Sequence, residues 1–127
     1  MTTIIICLII ATSMPILFKA PLAYAQNKAG GYNNRYPRAQ QNKLRGFGAR
    51  AKAVHENSFE ALIMFVPGAL TALITHNVGE IAQYLAIGFI VSRLIYALCY
   101  WFNVHRLRSL FWGVGFACSI GLLVISL

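Results

Sequence analysis

The run HENSFEALIMFVPGALTALITH, residues 55–76, decides the architecture. A transmembrane helix needs about 20 predominantly apolar residues, and this run has that length. Its two acids, Glu56 and Glu60, stand at its start, and nothing charged follows them through His76. Pro67 falls mid-span and predicts a kink, whose freed backbone groups neighbouring helices can satisfy. The turn-forming His76-Asn77-Val78-Gly79 closes the span. Residues 80–102 then make another run of the same kind, with Gln83 and Arg93 inside it. A short loop carrying Arg106 and Arg108 leads to a last run over about 109–127. From Leu110 on it holds eighteen uncharged residues. At about 1.5 Å each they cover roughly 27 Å, just enough for a hydrocarbon core of about 30 Å.

Upstream lies a polar, basic connector over residues 26–54. Ala29-Gly30-Gly31-Tyr32-Asn33-Asn34, followed by Pro37, is turn chemistry. From Ala39 onward the residues favour helix, as an extension of the span that follows. Before the connector comes a first apolar segment, about 3–25, interrupted by Lys19, whose stem can carry the charge to an interface. Ala23-Tyr24-Ala25 before Gln26 imitates a signal-peptide cleavage site. Two features oppose cleavage. No Lys or Arg precedes the apolar run, and cleavage would send seven downstream cations across the membrane. The segment is therefore read as a retained first span. The expectation is an all-α integral membrane protein: a single domain over 1–127 built as a four-transmembrane-helix bundle.

Composition points the same way. Of the 127 residues 58% are hydrophobic and 11% charged, and the mean hydropathy is +0.63. Soluble domains have about 45–50% apolar and about 25% charged residues, which argues against a soluble domain and excludes a disordered chain. The net charge is +8, from eleven Lys and Arg against three acids, and seven of the eleven cations lie between Lys28 and Lys52. Cationic patches can bind nucleic acid. These cations abut apolar spans, however, with few stacking aromatics beside them, only Tyr32, Tyr36 and Phe47. Membrane orientation and attraction to anionic lipid account for them, and no nucleic-acid partner is expected. The N-terminal tail, the 76–79 turn and the C-terminus hold no cation. Both termini are therefore expected on the non-cytoplasmic side, and the basic loops in the cytoplasm. Cys7, Cys99 and Cys118 lie in apolar segments and read as small hydrophobes rather than a disulfide framework. No two histidines have ligand spacing, and no metal is expected.

An ionisable residue inside a span costs about 2.5–3.5 kcal/mol on insertion, so Glu60 and Arg93 should face the bundle interior. Arg50, Ala53, Asn57, Glu60, Met64 and Pro67 recur at steps of three and four and form one helical stripe. Arg93, Tyr96, Tyr100 and Asn103 form another. Antiparallel neighbours would bring both stripes to the end that also holds Arg106, Arg108 and Ser109. The pattern predicts a basic, aromatic-lined cleft open to the cytoplasm, suited to a small anionic ligand whose apolar co-substrate arrives from lipid. A plainer reading makes Glu60 and Arg93 an interhelical ion pair and Asn57 a hydrogen-bonding strut. Tyr96, Tyr100, Trp101 and Trp112 then form an interfacial belt. The clustering at one end favours the site. His55 reads as a capping or interfacial residue, and His76 and His105 are assigned no chemistry. The small-residue rows Gly113/Ala117/Gly121, Gly68/Ala72 and Gly88/Ser92 predict close helix approach.

Asn34-Arg35-Tyr36-Pro37-Arg38, then Gly46 to Arg50, then His55-Glu56-Asn57-Ser58-Phe59-Glu60, resemble the MAPEG family, membrane-associated proteins in eicosanoid and glutathione metabolism. Arg93-Leu94-Ile95-Tyr96, Tyr100 and Arg108-Ser109 look like that family's third-helix and loop motifs. The resemblance runs from about Asn33 to the end, with the first span in its expected place, and is closest to small bacterial members. It implies four-helix subunits assembled as homotrimers in a bacterial inner membrane, with glutathione bound between subunits near the cytoplasmic side. Characterised members conjugate glutathione to lipophilic electrophiles, reduce lipid hydroperoxides, or act on eicosanoids, and at least one is a non-enzymatic lipid-presenting scaffold. By this resemblance Asn57 and Glu60 match the glutathione-contacting Asn and Glu of the second helix, and Arg93 an arginine of the third. Tyr96 falls where enzymatic members have Tyr or His, and Tyr100 matches a ligand-contacting Tyr. Arg108 resembles the arginine that stabilises the thiolate, with Ser109 beside it, and Arg106 competes for the Arg108 role.

Two departures bear on the ligand. Enzymatic eicosanoid members read Arg-x-x-Arg-Asn-x-x-Glu on the second helix, whereas this chain reads Ala53-x-x-Glu56-Asn57-x-x-Glu60. Two arginines that hold glutathione carboxylates are absent, and Arg45 and Arg50 compensate only in part. The expected function is a membrane-embedded glutathione-transferase-like protein acting on lipophilic electrophiles or lipid hydroperoxides, with glutathione as co-substrate. Arg108 and Ser109 would act on the thiolate, and Arg50, Asn57, Glu60, Arg93, Tyr96 and Tyr100 would bind the tripeptide. The alternative is a non-catalytic scaffold binding membrane lipids or a partner through the same cleft. A small transporter is a weaker reading, because no inverted repeat or broken helix is visible.

Overall fold

A computed structural model describes residues 1–127 as helices joined by short turns. In chain order they are α1 (Thr2–Leu17), α2 (Lys19–Lys28), α3 (Pro37–Gln41), α4 (Phe47–Ile74), α5 (Glu80–Trp101) and α6 (His105–Val124). Four stretches are long and apolar enough to cross a membrane: Thr2–Lys28, Phe47–Ile74, Glu80–Trp101 and His105–Val124. The protein is therefore a multi-pass membrane helix bundle. The first span is interrupted at Phe18. Pro21 explains the break, because it has no N–H for the Leu17 carbonyl and its ring crowds that oxygen. Beside the break, the His55 ring Nδ1 lies 2.8 Å from the Pro15 carbonyl and donates to it, which ties α1 to α4. α4 continues unbroken through Pro67, and the Thr71 hydroxyl donates to the Pro67 carbonyl at 2.7 Å.

One helix start differs from the sequence reading: α6 begins at His105 rather than 109, whereas α4 begins at Phe47, upstream of the span's His55, as the expected helical extension. The connector 26–54 is not one unit. It takes in the end of α2, the short α3 and the first turns of α4. The helix that the residues from Ala39 favour stops at Gln41 and restarts after Gly46, whose φ of 57° and ψ of −126° suit glycine. α4 has 28 residues, about 42 Å at about 1.5 Å each, so its first turns rise beyond the hydrocarbon. The chain reverses after α4 and α5 through backbone hydrogen bonds. His76 and Asn103 take positive φ, and Asn77 N–H bonds the Ala72 carbonyl as Val104 N–H bonds the Cys99 carbonyl. This is the Schellman closure, and the tight turn at Asn103 lets α6 start at once.

Only 30 of 127 residues are buried, while Ile63 and Ile74 are each 76% exposed. Lipid is the solvent in which such a surface is stable, since alkyl side chains lose nothing by facing acyl chains. The core lies among α1, α4, α5 and α6, with the Phe65 and Phe89 rings stacked 4.1 Å apart at its centre. α5 and α6 pair most extensively, and α6 also packs on α4. Small residues set these approaches. A Cβ at Gly68 would meet the Ser119 carbonyl at 2.7 Å, and one at Gly115 the Ser92 hydroxyl at 2.9 Å. Gly113 has open space around it, so the α5–α6 approach uses Gly115 instead of that member of the expected row.

Hydrogen bonds fix which ends meet. The Thr3 hydroxyl donates to Gln83 Oε1 at 3.0 Å, and the Asn77 amide donates to the Ile125 carbonyl. Both termini thus lie at one end with the α4–α5 turn. At the other end Arg50 Nε donates to the Trp101 carbonyl at 3.3 Å, which joins the connector to the α5–α6 turn.

Candidate functional site

At the loop end, α4, α5 and α6 enclose a cleft of about 250 Å³ lined by Asn57, Tyr96, Tyr100, Arg108, Ser109 and Trp112. Each helix contributes by its own period. On α5, Arg93, Tyr96 and Tyr100 recur at steps of three and four, and on α6, Arg108 and Trp112 are one turn apart. The Arg108 guanidinium lies 4.3 Å from the centroid of the Tyr100 ring, and Tyr96 meets Tyr100 edge-on at 5.7 Å. Stacking on an aromatic face holds a guanidinium in place while leaving its N–H donors free. Arg108 is the one guanidinium in the lining.

Arg93 stands behind the cleft wall, 3% exposed. Its guanidinium lies 4.0 Å from the Tyr96 ring centroid and donates to Asn57 Oδ1 at 2.5 Å. The Asn57 amide in turn donates to Glu60 Oε2 at 2.7 Å. Glu60 and Arg93 are therefore not a direct ion pair. One amide, acceptor on one side and donor on the other, relays between them. Glu60 itself is exposed on the bundle surface rather than turned inward as expected. It stands near the middle of α4.

The other candidates divide clearly. Arg50 is engaged with the Trp101 carbonyl and does not line the cleft. Arg106 is exposed and also outside the lining, so geometry separates it from Arg108. The Ser109 hydroxyl borders the cleft but donates to the His105 carbonyl at 3.2 Å. Glu56, at the position of a missing arginine, pairs with Lys52 at 3.2 Å. It lies on another face of α4, beside a second polar cleft that includes Arg38 and His55. His55 itself is taken up by the Pro15 carbonyl.

Two contributors escaped the sequence reading. Trp112 lines the cleft, stacked on Phe116 at 5.6 Å. Its spacing of four from Arg108 puts both on one face of α6, because that helix starts before Arg108 rather than after it. Gln26 is fully buried beneath the connector. Its Nε2 donates to the Pro37 carbonyl at 3.2 Å and to Gln40 Oε1 at 3.1 Å, and Gln41 donates to its Oε1 at 3.3 Å. Lys19 Nζ, seven residues back on the same span, also donates to its Oε1 at 3.4 Å, while the connector partners lie eleven to fifteen residues ahead, beyond the reach of a helical pattern.

Fold and cleft together define a four-span membrane bundle with an arginine- and tyrosine-lined cleft at one end. The chain belongs to the MAPEG family, whose model matches residues 3–127. No curated protein and no solved structure matches it.

Proposed function

We propose that the protein is a glutathione-transferase-like membrane enzyme whose cleft at Arg108 activates the glutathione thiol toward lipophilic electrophiles or lipid hydroperoxides. The observation that carries this reading is the gathering of Asn57, Tyr96, Tyr100, Arg108 and Ser109 from three helices around one opening. A free thiol titrates near 8.5, and an adjacent cation lowers that value. Arg108 holds the sulfur as thiolate and releases its proton to water. In conjugation to an aryl halide the sulfur forms a bond to carbon, the carbon–halogen bond breaks, and halide leaves. Arg93, held by Asn57 and backed by Tyr96, orders the wall rather than the sulfur. The electrophile arrives from the bilayer through the cleft mouth.

One chain offers a single free guanidinium to a ligand with two carboxylates. Glu60 also lies uncovered at membrane depth, where a bare carboxylate is costly. Both facts support a homotrimer in which a neighbouring copy covers this face and completes the site. The seven cations of the connector support a bacterial inner-membrane orientation with both termini on the non-cytoplasmic side.

The test is conjugation of glutathione to a generic aryl halide by the detergent-purified protein. Arg108→Ala should lower kcat/KM by about 10²–10³, the usual loss of one charge-stabilising donor, while Arg106→Ala leaves it unchanged. Full activity in Arg108→Ala would overturn the assignment. One specific observation favours a second reading, a non-catalytic lipid- or partner-binding scaffold: Glu56 replaces a carboxylate-holding arginine and is spent on Lys52. Calorimetric titration separates the two, since no heat at millimolar glutathione supports the scaffold.

A further inference from the structure

A third opening involves the end of the first span and the connector. Between the end of α2 and the start of α4 is a cleft of about 450 Å³, lined by Lys28, Lys43, Arg45, Tyr24, Leu44 and Phe47 among others. It holds three cations and no carboxylate. The chain's single ion pair, Lys52 with Glu56, lies elsewhere, so none of the three is neutralised. Lys28 stands 5.1 Å from the Tyr24 ring centroid, which holds its ammonium at the rim. The floor is apolar and closed. A Cβ at Gly48 would meet Leu44 at 3.0 Å and Ala25 at 3.3 Å, so α2 and α4 touch beneath the opening. The first span is 27 residues long, about 40 Å at about 1.5 Å each, against about 30 Å of hydrocarbon. Lys28, at its end, is therefore at the level of lipid phosphates.

We infer that this cleft is a binding site for the headgroup of an anionic glycerophospholipid. The phosphate sits among Lys28, Lys43 and Arg45, and the first acyl methylenes lie over Leu44 and Phe47. Three like charges without a counter-ion at headgroup depth call for an anion, and the apolar floor calls for one that carries a hydrocarbon. Basic pockets between transmembrane helices take anionic lipids by this chemistry. The site is independent of glutathione and shares no residue with the Arg108 cleft.

The test uses the full chain in nanodiscs of mixed phosphatidylglycerol and phosphatidylcholine, with retained lipid counted by native mass spectrometry after release. Wild type should keep phosphatidylglycerol in preference to phosphatidylcholine. Lys43→Gln with Arg45→Gln should cut that preference by roughly thirtyfold, at about a fivefold factor per cation near the surface. Arg35→Gln with Arg38→Gln removes the same charge from the same connector and should leave the preference in place. Thermal unfolding checks that both variants remain folded. Equal losses in the two variants, or no preference in wild type, overturn the site in favour of diffuse attraction. Displacement of the lipid by millimolar inorganic phosphate also overturns it, since the cleft would then be a free-phosphate site.

Discussion

The two ends of the bundle are closed in different ways by helices of similar composition. At the terminal end the polar ties are few: Thr3 to Gln83, Gln83 to the Val78 carbonyl, and Asn77 to the Ile125 carbonyl. The reversal at His76 there is made by backbone bonds. At the loop end polar side chains interlock between α4 and α5, where the Arg93–Asn57–Glu60 relay runs toward the middle of α4. A helix in lipid satisfies its own backbone, so folding does not demand that density of polar groups. The terminal end demonstrates as much. The excess at the loop end costs insertion energy that the fold alone does not require.

Three stability measurements would break or sharpen this contrast. The largest effect is expected for Asn57→Leu, which leaves the Arg93 guanidinium buried without its hydrogen-bond acceptor. A hydrogen bond to a buried charged group is worth up to about 3 kcal/mol, and equilibrium unfolding in mixed micelles should show a loss of that order. A loss under about 1 kcal/mol would mean that the Tyr96 ring alone holds Arg93. Next is Gln26→Leu, which removes a fully buried hub and leaves the buried Gln41 amide without its acceptor. A loss of about 2 kcal/mol, together with faster proteolysis within residues 30–45, is expected from unsatisfied buried amides. Unchanged proteolysis would show that the connector is held by α3 packing instead. The smallest effect belongs to Thr3→Val at the terminal end. It deletes one part-buried neutral hydrogen bond, worth about 0.5–1.5 kcal/mol, and the same unfolding assay should place it at the low end of that range. A Thr3→Val loss equal to that of Asn57→Leu would abolish the distinction between the two ends.

The family and the four spans were legible from the chain because both are written in local pattern. Hydrophobic runs of the right length declare themselves in any lipid-spanning helix. Asn57, Glu60, Tyr96, Tyr100 and Arg108-Ser109 fall in short recognisable frames. The cleft lining could also be anticipated in part, since steps of three and four put Tyr96 and Tyr100 on one face whatever they pack against. Helix starts were less legible. His105 opens α6 because Asn103 closes α5 in a single residue of positive φ, and that economy depends on the Val104-to-Cys99 bond. A helix beginning at 109 leaves Arg108 in the loop, and Arg108 and Trp112 share a face only because α6 starts at His105.

Other features had no sequence signal at all. Which of Arg106 and Arg108 borders the cleft follows from the azimuth of the first turn of α6, two residues apart and therefore on opposite sides. That Arg50 caps the end of α5 depends on a partner 51 positions away. The Gln26 cluster is likewise defined by amides that meet only when the connector folds back on α2. Sequence by itself determined the spans, the family and the residue types at the loop end, because helix period and hydrophobic length act within one segment. Tertiary structure alone decided which cations are engaged, which are stacked and which stand free. Those outcomes depend on the distance between side chains from different helices, and no pattern along one helix encodes that distance.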